Sequence, residues 1–169
     1  MTRTRAPCAL ALIAVAAACA GRPEPLPDDG LSGKPWDAQK ALLPPYPKQV
    51  DLIPIYVGST RPFAYSIDRS SVSVGPDRIV RYTLVARSPS GAMNVSYEGL
   101  RCKSYESRIY AFGRDDGTWV QARNIQWSTY SRYGTDLHII LADDFFCSVD
   151  RTKTGEEAVQ ALVRGNGPR

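Results

Sequence analysis

The feature that most constrains this chain is the stretch 78–127. Alternating apolar and polar residues run through it, broken by two tight turns, Ser88-Pro89-Ser90-Gly91 and Arg114-Asp115-Asp116-Gly117. A repeat of two belongs to a strand whose faces meet different surroundings. Val80, Tyr82, Leu84 and Ala86 fall on one face of 78–87, with Arg81, Thr83 and Arg87 on the other. The first turn has proline where its fixed φ suits a type I turn, and glycine at its exit. Turns this short leave only antiparallel pairing between the strands they join, so three or four consecutive strands form a meander.

The flanking chain extends this sheet. Residues 50–57 read as a strand, which Pro54 confines to an edge or a bulge. Residues 63–67 and 71–74 read as two short strands, the second closing at Gly75-Pro76-Asp77. In the return strand 93–102, Val95 and Tyr97 have one parity and Leu100 and Cys102 the other. An extra residue at Gly99 would bring all four to one side, which predicts a bulge there. Strands at 105–112 and 118–122 follow, then a polar and aromatic loop at 124–135. From 136 the spacing turns helical, with Leu137, Ile140, Leu141 and Phe145 on a stripe and Asp136 as its cap. Thr154-Gly155-Glu156-Glu157 has the form of a capping box, opening a helix that Gly165 ends. The fold class is therefore α+β, an antiparallel sheet of about five to seven strands followed by one or two C-terminal helices.

The front of the chain differs in kind. Arg3 and Arg5 precede an apolar run at 9–15, too short to span a bilayer. Small residues then lead to Cys19, and Val15-Ala16-Ala17-Ala18-Cys19-Ala20 resembles a lipobox, the lipidation site of bacterial lipoproteins. Several acyl chains on Cys19 would anchor the chain stably where one would not. Ala20, in place of aspartate, points to the outer membrane by resemblance to a known sorting rule. The competing reading is an ordinary cleaved signal. Residues 1–18 are thus a signal, 19–42 a Pro-rich tether, 43–150 the globular domain, and 151–169 a terminal helix with a frayed tail. Within 36–43, Trp36, Leu42 and Leu43 could dock a short helical turn on the domain. The net charge is +4, and loss of Arg3 and Arg5 leaves about +2. Arg81, Arg87, Arg108 and Arg123 alternate with apolar residues as a solvated sheet face would. No basic stripe marks a nucleic-acid partner.

Cys8 leaves with the signal and Cys19 takes lipid, so Cys102 and Cys147 remain. In an oxidising compartment they most simply pair. Closing a loop of about 45 residues is worth on the order of 4 kcal/mol. Two buried thiols, or a redox-active pair, are the alternatives.

No nucleophile–base pair, metal-ligand cluster or phosphate loop is visible, so no catalytic residue, metal or cofactor is assigned. His138, the lone histidine, is read as structural. Glu98 and Arg101 stand near the expected bulge, with Trp119, Arg123 and Trp127 following. Together they suggest a cleft for an anionic or glycan-like ligand. The plainer reading is a cross-strand ion pair on a wet sheet face.

The chain resembles the cryptic neisserial protein family of Gram-negative envelope proteins. The resemblance is carried by Leu43-Pro44-Pro45-Tyr46-Pro47 with Asp51-Leu52-Ile53-Pro54, and by Val80-Arg81-Tyr82-Thr83-Leu84-Val85. It continues from Ser88-Pro89-Ser90-Gly91 through Asn94-Val95-Ser96-Tyr97-Glu98-Gly99 to Arg101-Cys102. Arg108-Ile109-Tyr110-Ala111-Phe112-Gly113 with Trp119, and Asp144-Phe145-Phe146-Cys147, complete it over 43–147. It implies an exported protein of unassigned activity and carries over no catalytic residue. Both cysteines lie inside its motifs, in agreement with their pairing. The expectation is a non-enzymatic outer-membrane lipoprotein facing the periplasm. Its domain would bind or scaffold another envelope protein or a cell-wall component, with the membrane held through lipid. The alternative is a small envelope hydrolase or ligand-binding protein using a Glu98/Arg101 cleft.

Overall fold

Seven antiparallel strands form one sheet: β1 (Leu52–Ile55), β2 (Ala64–Val74), β3 (Ile79–Arg87), β4 (Met93–Arg101), β5 (Glu106–Gly113), β6 (Trp119–Gln121) and β7 (Ser128–Thr129). They are seen in a computed structural model that describes residues 42–58, 62–130, 136–149 and 151–165. The first six lie side by side in chain order, and β7 pairs with the other half of β5. Helix α1 (Leu137–Ile140) runs on into a π-helical turn, Leu141–Phe146, and α2 (Gly155–Gly165) ends the described chain. This is the expected α+β arrangement.

Both tight turns use the same construction. Gly91 N donates to Ser88 O, and Gly117 N to Arg114 O, while Ser88 N and Arg114 N reach across to Ala92 O and Thr118 O. Each glycine has positive φ, 90° and 79°. This is the three-residue hairpin loop whose exit residue must be left-handed.

Tertiary structure corrects the sequence at several points. The two short strands expected at 63–67 and 71–74 are one strand, irregular between Asp68 and Ser73. Ser71 explains the continuity: its Oγ donates to Asp68 O and accepts from Thr83 N, both at 2.7 Å. A side chain thus fills the gap in the backbone ladder. The expected bulge at Gly99 is absent, because β4 pairs with β3 in unbroken register from Met93 to Arg101. The extra residue is on β5, where Tyr97 pairs with Ala111 but Glu98 with Ile109, leaving Tyr110 over. Glycine stands at 99 because the Tyr110 ring lies across it. A Cβ there would come within 2.6 Å of the Tyr110 hydroxyl. Within the expected loop at 124–135, Ser128 and Thr129 pair with β5.

The parity change in β4 reflects a sheet covered on both sides. One face carries Ile67, Val80, Tyr82, Leu84 and Leu100 against Leu137, Leu141, Phe145 and Phe146, and against Ala158 and Leu162 of α2. Tyr82 and Phe146 meet at 4.9 Å between ring centroids. Burying one such ring is worth roughly 2–3 kcal/mol. The π turn widens the helix so that Leu141, Ala142, Phe145 and Phe146 are all buried, with Cys147 N donating to Ala142 O. Phe146, which blurs a 3.6-residue stripe, fits this wider winding.

The other face is not the solvated one that its arginines suggested. Tyr97, Tyr110 and Ala111 are buried there under Leu43, Trp119 and Trp127, and Thr83 and Arg108 are buried too. Arg81 is half-buried, forked onto Asp77. The Pro-rich segment supplies part of the cover: Trp119 Nε1 donates to Pro44 O at 3.0 Å, and Tyr46 packs on the same indole at 5.6 Å. Leu43 docks as expected, Leu42 is exposed, and Trp36 lies outside the described residues.

Two closures finish the domain. Cys102 and Cys147 form a disulfide with Cα atoms 5.7 Å apart, tying the end of β4 to the end of the π turn. At α2 the capping box forms as read: Glu157 N donates to Thr154 Oγ1, and Thr154 N to Glu157 Oε2. Arg151 grips the same carboxylate with two bonds of 2.7 Å. That fork, then the Thr154 amide, lowers the Glu157 pKa to about 2.

Candidate functional site

Glu98 pairs with Tyr82 in the register of β3 and β4, so its side chain points to the helix-covered face. A carboxylate there needs partners, because an unpaired buried charge is prohibitively costly. Three groups meet it. Tyr82 Oη donates to Oε2 at 3.1 Å and Ser96 Oγ to Oε1 at 2.5 Å. His138 Nε2 lies 3.1 Å from Oε2. The other imidazole nitrogen, Nδ1, lies 3.2 Å from Asp136 Oδ1, which also caps α1 by accepting from His138 N. Tyr130 stacks on the imidazole with centroids 6.1 Å apart.

The electrostatics follow. Burial opposes a charge on His138, but the hydrogen bond and charge of Glu98, with Asp136 behind them, outweigh it and raise the histidine pKa. Burial, then the Glu98 charge, pushes the Tyr82 phenol well above its usual range. With carboxylates on both sides, an imidazolium is the form the geometry favours. The Glu98 side chain is 4% exposed and that of His138 25%, so of these two the histidine reaches the surface. There it borders a recess of about 530 Å3, with Phe112, Val120, Arg123, Asn124 and Gln126 among its lining.

The cleft expected from Glu98, Arg101, Trp119 and Arg123 does not form as one site. Glu98 and Arg101 are three residues apart on a strand with no break in register, so they point to opposite faces. Arg101 binds Glu106 at 3.3 Å and lies 3.9 Å above the Trp127 ring. Trp119 belongs to that second face with Tyr97 and Tyr46. Only Arg123 lines the His138 recess. What sequence reasoning did not show is that His138, read there as structural, is the partner of Glu98. The available signal was parity, since Glu98 sits between Ser96 and Leu100 on the core side and required a charged or polar partner from elsewhere.

Chemically, the pair is a brace. Glu98 Oε1 and Oε2 are held by three groups and shielded from solvent, and both histidine nitrogens face carboxylates. The cluster joins α1 to β4 and favours the charged form of the histidine. Among the described residues no group of three histidine, cysteine, aspartate or glutamate side chains is placed to hold a metal ion. No helix among them is long and apolar enough to cross a membrane.

A second and larger cleft opens beside the disulfide. Together these features define an α+β meander module, its sheet roofed by helices on one side and in part by its own Pro-rich segment on the other, with the Cys102–Cys147 bond as a cross-link. The chain belongs to the CNP1-like family, whose model matches residues 31–164. The match extends past both ends of the motifs at 43–147, taking in α2. Comparison with curated proteins and with solved structures returned no match.

Proposed function

We propose that this chain is an exported lipoprotein of the cell envelope, anchored by acyl chains on Cys19 to the outer membrane. Its domain binds or scaffolds another envelope component in the periplasm and performs no chemistry of its own. The observation that carries this reading is the Cys102–Cys147 disulfide, since such bonds persist mainly outside reducing compartments. It accounts for both cysteines of the folded domain and leaves Cys19, preceded by small residues, for lipid. The hydrolase alternative loses its Glu98/Arg101 cleft, since Glu98 is committed to Tyr82, Ser96 and His138 and Arg101 lies on the opposite face.

The test is fractionation of the native host expressing the wild type and Cys19→Ala. The wild type should sediment with outer membranes and give a mass increased by acyl chains. The variant should appear in the soluble periplasmic fraction with its disulfide intact. A variant that stays with the membrane rejects the anchor, and free alkylation of Cys102 and Cys147 in freshly lysed cells rejects export.

A further inference from the structure

We infer that the cleft beside the Cys102–Cys147 bond is a binding site for an organic oxyanion, a phosphate- or carboxylate-bearing molecule of small-ligand size, with Arg78 and Lys103 holding its charge. The inference rests on the reading of the domain as a binding module, and is independent of the lipid anchor.

Shape and charge point the same way. The cleft encloses about 930 Å3, within the range of small-molecule sites. Among the described residues, Arg78, Lys103 and Arg151 contribute cationic side chains to its lining against one carboxylate, that of Asp143. Arg151 is already forked onto Glu157. Arg101, which also borders the cleft, commits its guanidinium to Glu106 and Trp127. Among the described residues no carboxylate pairs with Arg78 or Lys103, and both are exposed. Like charges brought to one concavity repel, and an anion between them relieves that repulsion. Arginine and lysine are the side chains suited to oxyanions, the first by its planar fork and the second as a point charge.

The walls add an independent argument. Arg78 and Tyr105 have φ of 57° and 56°, a left-handed backbone that side chains other than glycine seldom adopt. They are the non-glycine residues with positive φ among those described, and both line this cleft. Each is pinned. Arg78 N donates to Gly75 O and Thr152 Oγ1 to Arg78 O, while Tyr130 N donates to Tyr105 O. The π turn contributes Ala142 and Asp143 to the same lining, and the disulfide fixes the helix wall against the sheet wall. Locally unfavourable backbone held in place by its surroundings gathers at ligand sites, where it sets side-chain direction in advance.

The test uses the full chain carrying Cys19→Ala, so that no acyl chain contributes. Two probes are titrated at constant ionic strength: glycerol phosphate, and phosphatidylglycerol vesicles with phosphatidylcholine vesicles as blank. Saturable binding of the soluble probe assigns the anion to a free phosphate ester, and binding of vesicles alone assigns it to a lipid headgroup. Arg78→Gln with Lys103→Gln should weaken binding by about tenfold or more. Arg87→Gln with Arg114→Gln removes the same charge at the far end of the sheet and should leave affinity within about twofold. Equal losses in the two double variants would reduce the effect to net charge and overturn the site, as would failure of both probes to bind. Amide chemical shifts of the parent protein give a reading free of variant folding. The probe should move Arg78, Lys103 and Tyr105 most, and a maximum elsewhere overturns the assignment. None of these outcomes depends on whether Cys19 is lipidated.

Discussion

Replacing His138 with phenylalanine isolates what the imidazole contributes to this fold. Phenylalanine keeps a ring against Tyr130 and leaves the backbone bond from residue 138 to Asp136, but removes both nitrogens. Glu98 then keeps Tyr82 and Ser96 as donors and loses the cation that pairs with it among the described residues. Stripping one partner from a buried ion pair costs about 3–5 kcal/mol. Two surviving neutral donors and a partly exposed histidine bring the expectation down to about 2 kcal/mol. For a domain of this size that is a fall in melting temperature of roughly 8 °C.

The pH dependence gives the sharper check. His138 has a raised pKa in the folded protein, so its contribution is complete below the unfolded value of about 6.5. It fades as pH rises through the folded value. Urea unfolding of the two oxidised proteins across a pH series should therefore show the largest stability gap near about pH 5.5 and a narrowing gap at alkaline pH. A gap that is flat with pH, or below about 0.5 kcal/mol throughout, would mean that Tyr82 and Ser96 satisfy Glu98 unaided and that the ion pair is idle.

Three further perturbations probe other parts of the fold. Gly99→Ala should cost about 2 kcal/mol, because the Tyr110 ring it meets is buried between Tyr97 and Trp127 and has nowhere to retreat; a thermal melt unchanged from wild type would refute the close approach. Removing the cross-link with Cys102→Ser and Cys147→Ser should cost on the order of 4 kcal/mol, the loop-closure entropy of its 45-residue separation, read as a lower urea midpoint. Trp119→Phe deletes the hydrogen bond to Pro44 and should cost about 1 kcal/mol, with limited proteolysis cutting first near residues 42–48; an unaltered cleavage pattern would argue that the Pro-rich segment is held by other contacts.

What the sequence made legible was local. The parity of β3, the glycine-exit turns, the Asp136 cap and the Thr154–Glu157 box each depend on residues within a few positions, and all are found. Position 99 shows where this ends. A parity change in β4 has two explanations, a bulge or a sheet covered on both faces, and only the packing of Tyr110 and Trp127 decides between them. The Glu98–His138 contact joins residues 40 apart, and it exists because strand register turns Glu98 inward. Arg81 and Arg108 read as wet for the same reason. Alternation with apolar neighbours identifies the second face without saying what lies over it, and part of the cover comes from Leu43 and Tyr46, distant in sequence from β4 and β5. The wide turn at 141–146 is hidden as well, since its apolar residues fit ordinary helical spacing until Phe146.

That wide turn also sets the angular phase of whatever follows it. Rewinding 141–146 to 3.6 residues per turn with every residue kept would preserve an apolar stripe. It would also swing the next sulfur about 100° around the axis, away from its mate on the sheet. Winding number and covalent topology are interlocked here: the chain cannot become more regular at this point and still close its ring.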